Sequence, residues 1–232
     1  MALQDLRQNY TPEPIDPGDL AADPFDQFLA WFHDAQHADI LEPNAFTLAT
    51  VSPEGQPHGR TLLLKGVDPA PKTAGRGLVF FTNYGSAKGR DLAENPRASM
   101  NFYWDRLARC VRIPGRVSKV SAQETADYFK TRPRASQLGA WCSHQSSVIS
   151  GREDLVSTFV ELTEKYSDDT PIPVPPAWGG YRLIPEAFEF WQGQPSRLHD
   201  RLRYLPASAT PGRARDAASG DETDWTIDRL SP

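Results

Sequence analysis

The sequence predicts an α+β domain in which short antiparallel strands curl into a closed or nearly closed barrel and helices pack outside it. Three observations carry this expectation. Apolar residues alternate over runs of strand length that are bounded by turn residues, as from Asn44 to Val51. Helix-start sequences recur at Asp23-Pro24, Ser121-Ala122-Gln123-Glu124 and Ser150-Gly151-Arg152-Glu153. A chain of 232 residues is long enough for one sizeable core, and strand-rich domains of this length are commonly single units.

Residues 1–20 are polar, proline-broken and without period, and read as a mobile N-terminal arm; residues 21–232 read as one domain. Asp23 caps a helix that has proline in its first position and Phe25, Phe28, Leu29 and Phe32 on one stripe. Asn44 to Val51 and His58 to Val67 form a hairpin across Ser52-Pro53-Glu54-Gly55-Gln56. Leu78 to Thr82 is a short strand, and Ser86 to Asn95 a short helix closed by Asn95-Pro96. Ala98 to Trp104 and Arg109 to Val120 pair across Asp105-Arg106-Leu107, with Pro114 requiring a bulge or an edge position. Helices run from Ser121 toward Thr131 and from Ser150 through Tyr166. Strands follow at Gly179 to Ile184, Phe188 to Gly193, Leu198 to Leu205 and Trp225 to Leu230, interrupted by a small, polar insert at 207–223 that is expected to be flexible.

The net charge of −5 argues against nucleic acid or an anionic membrane as the main partner, so any phosphate chemistry must come from local basic clusters. Cys110 and Cys142 are the only cysteines, and no secretion signal or bilayer-length apolar run occurs, which points to a cytoplasmic protein. The histidines lack metal-ligand spacing, and no metal site is expected; His33 and His37 read as a solvated helix face.

Several stretches could bind anions. If the chain after Pro195 is extended, Arg197, His199 and Arg201 project from one face, beside the apolar plane of Phe190 and Trp191. Such a face suits a phosphorylated aromatic ligand, although spacing alone also fits a basic edge strand. Arg60 and Lys65 bracket Thr61-Leu62-Leu63-Leu64, and a regular strand sends them to opposite faces. Either a bulge re-aims one, or they reach different anions, or both are solvated ends of a core strand. Phe81-Thr82-Asn83-Tyr84-Gly85-Ser86-Ala87-Lys88 reads as strand, turn and helix start, where free amides and the helix dipole seat an anion and Lys88 adds a charge. Tyr128, Arg132 and Ser136 are spaced by four, but Pro133 ends the helix at Arg132, so Ser136 approaches from the next turn. They form a phosphate cup or, on spacing alone, a helix end with a dipole-compensating arginine.

Phe190-Trp191-Gln192-Gly193 followed by Arg197-Leu198-His199-Asp200-Arg201 resembles the C-terminal signature of the pyridoxamine/pyridoxine 5'-phosphate oxidase family. The similarity runs from about Leu20 to the C-terminus through several motifs in the family's order. It implies a split barrel of the FMN-binding type that forms a homodimer with each flavin between subunits. It also implies oxidation of pyridoxine 5'-phosphate or pyridoxamine 5'-phosphate to pyridoxal 5'-phosphate, with O2 as acceptor and H2O2 as product. Carried over residue by residue, the resemblance assigns FMN to Arg60, Thr61, Leu62, Leu63, Leu64, Lys65, Phe81, Thr82, Lys88, Cys110, Gln145, Ser146, Trp191 and Arg201. It assigns the substrate to Lys65, Tyr128, Arg132 and Ser136, and places Arg197 and His199 as catalytic residues beside the pyridine ring. Phe81, Ala87 and Cys110 depart from the family's tyrosine, arginine and glutamine, and Arg90 is the candidate to replace the cation missing at Ala87. The alternatives are a related split-barrel flavin oxidase acting on a phenazine-type substrate, or a protein that binds FMN or pyridoxal phosphate without turnover.

Overall fold

The computed structural model describes residue 3 and residues 10–68, 75–167, 170–209 and 225–232. Helix α1 (Pro24–Gln36) begins as expected, with Pro24 in its first position and the Asp23 carboxylate accepting the Phe25 amide at 2.8 Å. The other helices are α2 (Ala87–Glu94), α3 (Ala122–Thr131), α4 (Arg134–Cys142) and α5 (Arg152–Lys165). Ten strands form one antiparallel sheet among the described residues: β1 (Ala45–Val51), β2 (Pro57–Leu63), β3 (Gly66–Val67), β4 (Leu78–Asn83), β5 (Arg97–Trp104), β6 (Arg109–Lys119), β7 (Trp178–Pro185), β8 (Phe188–Gln192), β9 (Asp200–Pro206) and β10 (Trp225–Arg229).

Pairing around the sheet makes a barrel. β2 pairs with β1, β1 with β5, β5 with β6, β6 with β7, β7 with β4 and β4 with β3. The expected single strand from His58 to Val67 is instead broken where it changes partner. Leu64 donates its amide to Asn44 on the β1 side (2.8 Å), and Lys65 donates to Val79 on β4 (2.9 Å), so the pairing ring closes through these two residues. β6 is the fork of the split barrel: Arg109–Arg112 pair with β8, and Gly115–Lys119 with β7. Pro114 sits at that fork, where its missing N–H removes no rung from either ladder, and its carbonyl accepts the Glu186 amide at 2.9 Å. β8, β9 and β10 extend the sheet as a flap.

The barrel interior is aromatic. Phe28 of α1 meets Phe102 edge-on at 5.1 Å, Trp31 meets Phe190 at 5.1 Å, and Phe46, Phe80 and Trp104 fill the remaining space. Truncating a fully buried ring of this kind to alanine costs roughly 3–5 kcal/mol, so these rings fix how α1 closes the barrel. A second cluster, Phe129, Leu138, Ile172 and Trp178, seats α3 and α4 against β7.

One local expectation fails, and one helix was not announced by the sequence. Ser150 does not cap α5: the N-cap is Gly151, without a side-chain bond, and the Ser150 hydroxyl donates to Asp154 instead. Helix α4 carried no sequence signal, because Pro133 at its N-cap provides no capping oxygen and Leu138 is its only buried residue. Of the 207–223 insert, Ala207–Ala209 form a single helical turn, and 210–223 lie outside the described residues.

Candidate active site

Arg60 and Lys88 meet behind the N-terminus of α2. On β2, Arg60 faces inward with its register partner Leu48, whereas Thr61 and Leu63 face the opposite side of the sheet. Arg60 Nη1 donates to Thr50 Oγ1 at 2.6 Å and to the carbonyls of His58 (3.1 Å) and Leu48 (3.2 Å). Lys88 is buried and donates to Gln145 Oε1 at 2.6 Å and Ser86 Oγ at 3.1 Å. Burial, reinforced by the Arg60 charge, pushes the Lys88 ammonium down to about 8. The first amide of α2, at Ala87, donates to Ser146 Oγ at 3.2 Å. Two cations, a helix N-terminus and the Gln145-Ser146 loop therefore converge, a donor set that fits a phosphate monoester. Arg90 turns back to the Gly85 carbonyl (2.7 Å) on the exposed side of the same turn.

Lys65 leads elsewhere. The partner change at Leu64–Lys65 sends Lys65 to a cleft of about 590 Å³ that it lines with Phe81 and Tyr128, so the two cations bracketing Thr61–Leu64 serve different places. Phe81 stacks on Tyr128 at 3.9 Å and on Trp178 at 5.4 Å. Beyond that stack, Arg132, Ser136, Gln145, Asn83 and Trp178 line a second pocket of about 280 Å³. Its arginine is unusual. The guanidinium carbon lies 4.7 Å from the Trp178 ring centroid, Nη1 is fully buried, and among the described residues Nη1 has no hydrogen-bond partner. Burial lowers the Arg132 pKa and raises that of the Tyr128 phenol. Ser136 reaches this pocket from the first turn of α4, as the break at Pro133 predicts.

The C-terminal group departs from the extended geometry considered above. Pro195–Arg197 form a tight helical turn, with Ser196 (φ 56°) and Arg197 (φ 64°) both left-handed, and β9 starts only at Asp200. Arg197, His199 and Arg201 therefore do not share one strand face. Non-glycine residues held left-handed cost of order 1–3 kcal/mol each and concentrate at functional sites. The exposed Arg197 guanidinium has no partner among the described residues. His199 Nδ1 accepts the Gln194 amide at 3.0 Å, which places the proton of a neutral ring on Nε2, and its ring lies 4.7 Å from that of Trp191. Arg201 pairs across the sheet with Trp191, and Trp191 with Cys110, so these three side chains share the outer face with Thr61 and Leu63. Arg201 Nε donates to Glu189 at 2.9 Å, and its Nη1 to the Ser231 carbonyl at 3.0 Å. The Cys110 thiol is buried and donates to Asn101 Oδ1 at 3.0 Å; burial raises its pKa, which leaves an inert neighbour of Trp191.

Sequence reasoning missed Tyr10, whose ring meets Trp191 at 5.9 Å and His199 at 5.8 Å, both edge-on. Gln194 and Asp200 hold the following residues, through the Glu13 carbonyl (3.2 Å) and the Ile15 amide (3.2 Å). No period or cap marks that segment, so nothing local announces the contact. Asn83 also lines the Arg132 pocket, although its place between strand and helix start marks it in the sequence only as a turn residue.

A family described as Pyridoxamine 5'-phosphate oxidase matches residues 32–166, and a Pyridoxine 5'-phosphate oxidase C-terminal dimerisation region matches residues 178–232. The chain is 50% identical over 231 residues to a pyridoxine/pyridoxamine 5'-phosphate oxidase of Paraburkholderia xenovorans, covering 100% of this chain and 99% of that protein. It is 52% identical over 230 residues to the protein of that name from Burkholderia multivorans, covering 99% of each. Among solved structures, PhzG from Burkholderia lata 383, in complex with tetrahydrophenazine-1-carboxylic acid, superimposes with a TM-score of 0.79 at 30% identity, covering 95% of this chain and 98% of that one. A pyridoxamine 5'-phosphate oxidase-related, FMN-binding protein of Nostoc punctiforme shares the fold at a TM-score of 0.66 and 19% identity, covering 92% and 100%. The chain belongs to the pyridoxamine 5'-phosphate oxidase family, a family of split-barrel oxidoreductases.

Proposed function

We propose that the protein oxidises pyridoxine 5'-phosphate or pyridoxamine 5'-phosphate to pyridoxal 5'-phosphate, with O2 as acceptor and H2O2 as product. The observation that carries this reading is the buried Nη1 of Arg132, without a hydrogen-bond partner among the described residues, in a pocket shared with Ser136. An orphaned buried donor costs roughly 1–3 kcal/mol, and more on a charged group; a phosphate oxygen of the substrate offsets that cost, whereas a phosphate-free ring does not. Lys65 and Tyr128 line the adjoining cleft, where they act on the same substrate.

When bound, FMN supplies the hydride acceptor. Arg60, Lys88, the α2 amides and the Gln145-Ser146 loop hold its phosphate. Thr61, Leu62, Leu63, Leu64, Phe81, Thr82, Cys110, Trp191 and Arg201 border the rest of the molecule. These residues lie in separate places within one chain, which accords with a homodimer that completes each site from two subunits, and the match of residues 178–232 to a dimerisation region supports this. Arg197 and His199 orient the pyridine ring, and the Gln194 amide on Nδ1 leaves Nε2 of a neutral His199 as a donor toward it.

A yellow protein bleached by pyridoxine 5'-phosphate in the absence of oxygen and recoloured by air is the expected result. A flavin that stays oxidised under those conditions would defeat the reading. The second reading, oxidation of a phenazine-type substrate, is favoured by the likeness to PhzG. It requires bleaching by a phosphate-free aromatic and not by the phosphorylated vitamer. No helix among the described residues is long and apolar enough to cross a membrane.

A pH dependence follows from Lys88. Its pKa of about 8 in the free protein must rise when the phosphate dianion binds, so binding above pH 8 takes up a proton. The FMN dissociation constant should hold steady near neutrality and then rise by up to about tenfold per pH unit above 8. Fluorescence titration of the apoprotein checks this, with Lys88→Met expected to flatten the profile.

A further inference from the structure

Behind Arg60 lies a chain of polar groups that the site described above does not use. Thr50 is 1% exposed on β1, and its hydroxyl donates to Asp91 Oδ2 of α2 at 2.6 Å. The same hydroxyl oxygen accepts Arg60 Nη1, also at 2.6 Å. Asp91 is 5% exposed, and His58 Nδ1 approaches the same carboxylate oxygen at 3.1 Å. Desolvation alone would raise the Asp91 pKa, but the Thr50 and His58 hydrogen bonds, with the His58 and Arg60 charges, bring it below the usual value. An ionised carboxylate can only accept, so the Thr50 proton must point to Asp91 and the His58 Nδ1 must carry hydrogen. A hydroxyl whose proton is committed in this way presents its lone pairs to Arg60. Nη1 makes all three of the hydrogen bonds of Arg60 among the described residues, and Nη2 stands 3.7 Å from Asp91, beyond hydrogen-bond reach. Nε makes no hydrogen bond among the described residues and Nη2 only this ion pair at 3.7 Å, so both keep hydrogens for an anion.

We propose that Thr50, its hydroxyl oriented by Asp91, is a positioning residue that holds the Arg60 guanidinium in place for the flavin phosphate. The inference rests on the assignment of Arg60 and Lys88 to that phosphate. It concerns ligand affinity, not the reacting atoms, because Thr50 acts only through Arg60. Long cationic side chains lose rotamer freedom when they grip an anion, and a guanidinium already fixed by its own protein loses less.

The test measures the dissociation constants of FMN and of riboflavin, which lacks the phosphate, for the apoprotein by quenching of flavin fluorescence. Thr50→Val should weaken FMN about five- to tenfold and leave riboflavin unchanged, and Thr50→Ser, which restores the hydroxyl, should return FMN binding to within about twofold of the parent. Arg60→Met should weaken FMN more, and the double variant Arg60→Met/Thr50→Val no further than Arg60→Met alone, since two residues acting through one contact are not additive. Equal loss of FMN and riboflavin affinity in Thr50→Val, or full additivity in the double variant, overturns the proposal while the phosphate assignment stands. Parent protein that binds riboflavin as tightly as FMN, or Arg60→Met that leaves FMN binding intact, overturns the phosphate assignment and the inference with it.

Discussion

Arg132→Met should lower kcat/KM for pyridoxine 5'-phosphate by about 10- to 150-fold, the equivalent of roughly 1.5–3 kcal/mol for hydrogen bonds to a charged group. The FMN dissociation constant should move far less, because Arg132 shares its pocket with Gln145, which accepts from Lys88 at 2.6 Å, but makes no hydrogen bond to Arg60 or Lys88 among the described residues. The expectation follows from a solvation imbalance. Arg132 gives up water to lie against Trp178 and Phe129, with centroid distances of 4.7 and 5.7 Å, and Nη1 receives no acceptor among the described residues in exchange. Methionine retains much of the apolar packing and removes the donor, so folding should survive or improve while phosphate recognition is lost. Steady-state kinetics with the phosphorylated substrate and with pyridoxine separates the effects. A variant that loses both equally would show that Arg132 shapes the pocket and does not grip phosphate.

Arg197→Met should cut turnover by about 10²-fold or more with FMN still bound stoichiometrically. Two flat rings must overlap at near-attack distance, and small misplacements there are costly. Arg197 is suited to this task because its turn is held in an unfavourable conformation. Leu198 donates back to the Pro195 carbonyl (3.1 Å), and His199 Nδ1 takes the Gln194 amide, so the backbone around it is constrained while the guanidinium has no partner among the described residues. Anaerobic stopped-flow reduction reads the chemical step directly, and the flavin spectrum reports retention. Near-normal reduction in the variant would remove Arg197 from the reaction.

Much of the fold was legible because its signals are local. Asp23-Pro24 and Ser121 announce helix starts through groups adjacent in sequence, and the alternation of β1 and β5 reports a barrel wall with one face buried. Pro114 was readable as an anomaly, but only the pairing showed that it stands where β6 exchanges β8 for β7. Residue types at the site were legible for the same reason: arginine, lysine, serine and a helix start are anion-binding chemistry wherever they occur. Their grouping was not, since Arg60 and Lys88 meet where β2 and α2 approach through Asp91, and Arg132 and Gln145 line one pocket from the two flanks of α4.

By itself the sequence determined the element types, the positions of most strands and helices, and, through its motifs, the family. Tertiary structure alone decided that the chain changes partner at Leu64–Lys65, which, among the readings the sequence leaves open for Arg60 and Lys65, sends the two cations to different places. It also decided that Ser196 and Arg197 turn left-handed instead of extending, and that Thr50, Asp91 and His58 stand behind Arg60. The physical reason is common to all three. Backbone preference and hydrophobic period act over a few residues, whereas a hydrogen-bond partner or a desolvated charge is defined by whatever the closed barrel brings within 3 Å, and that depends on pairings between residues tens of positions apart.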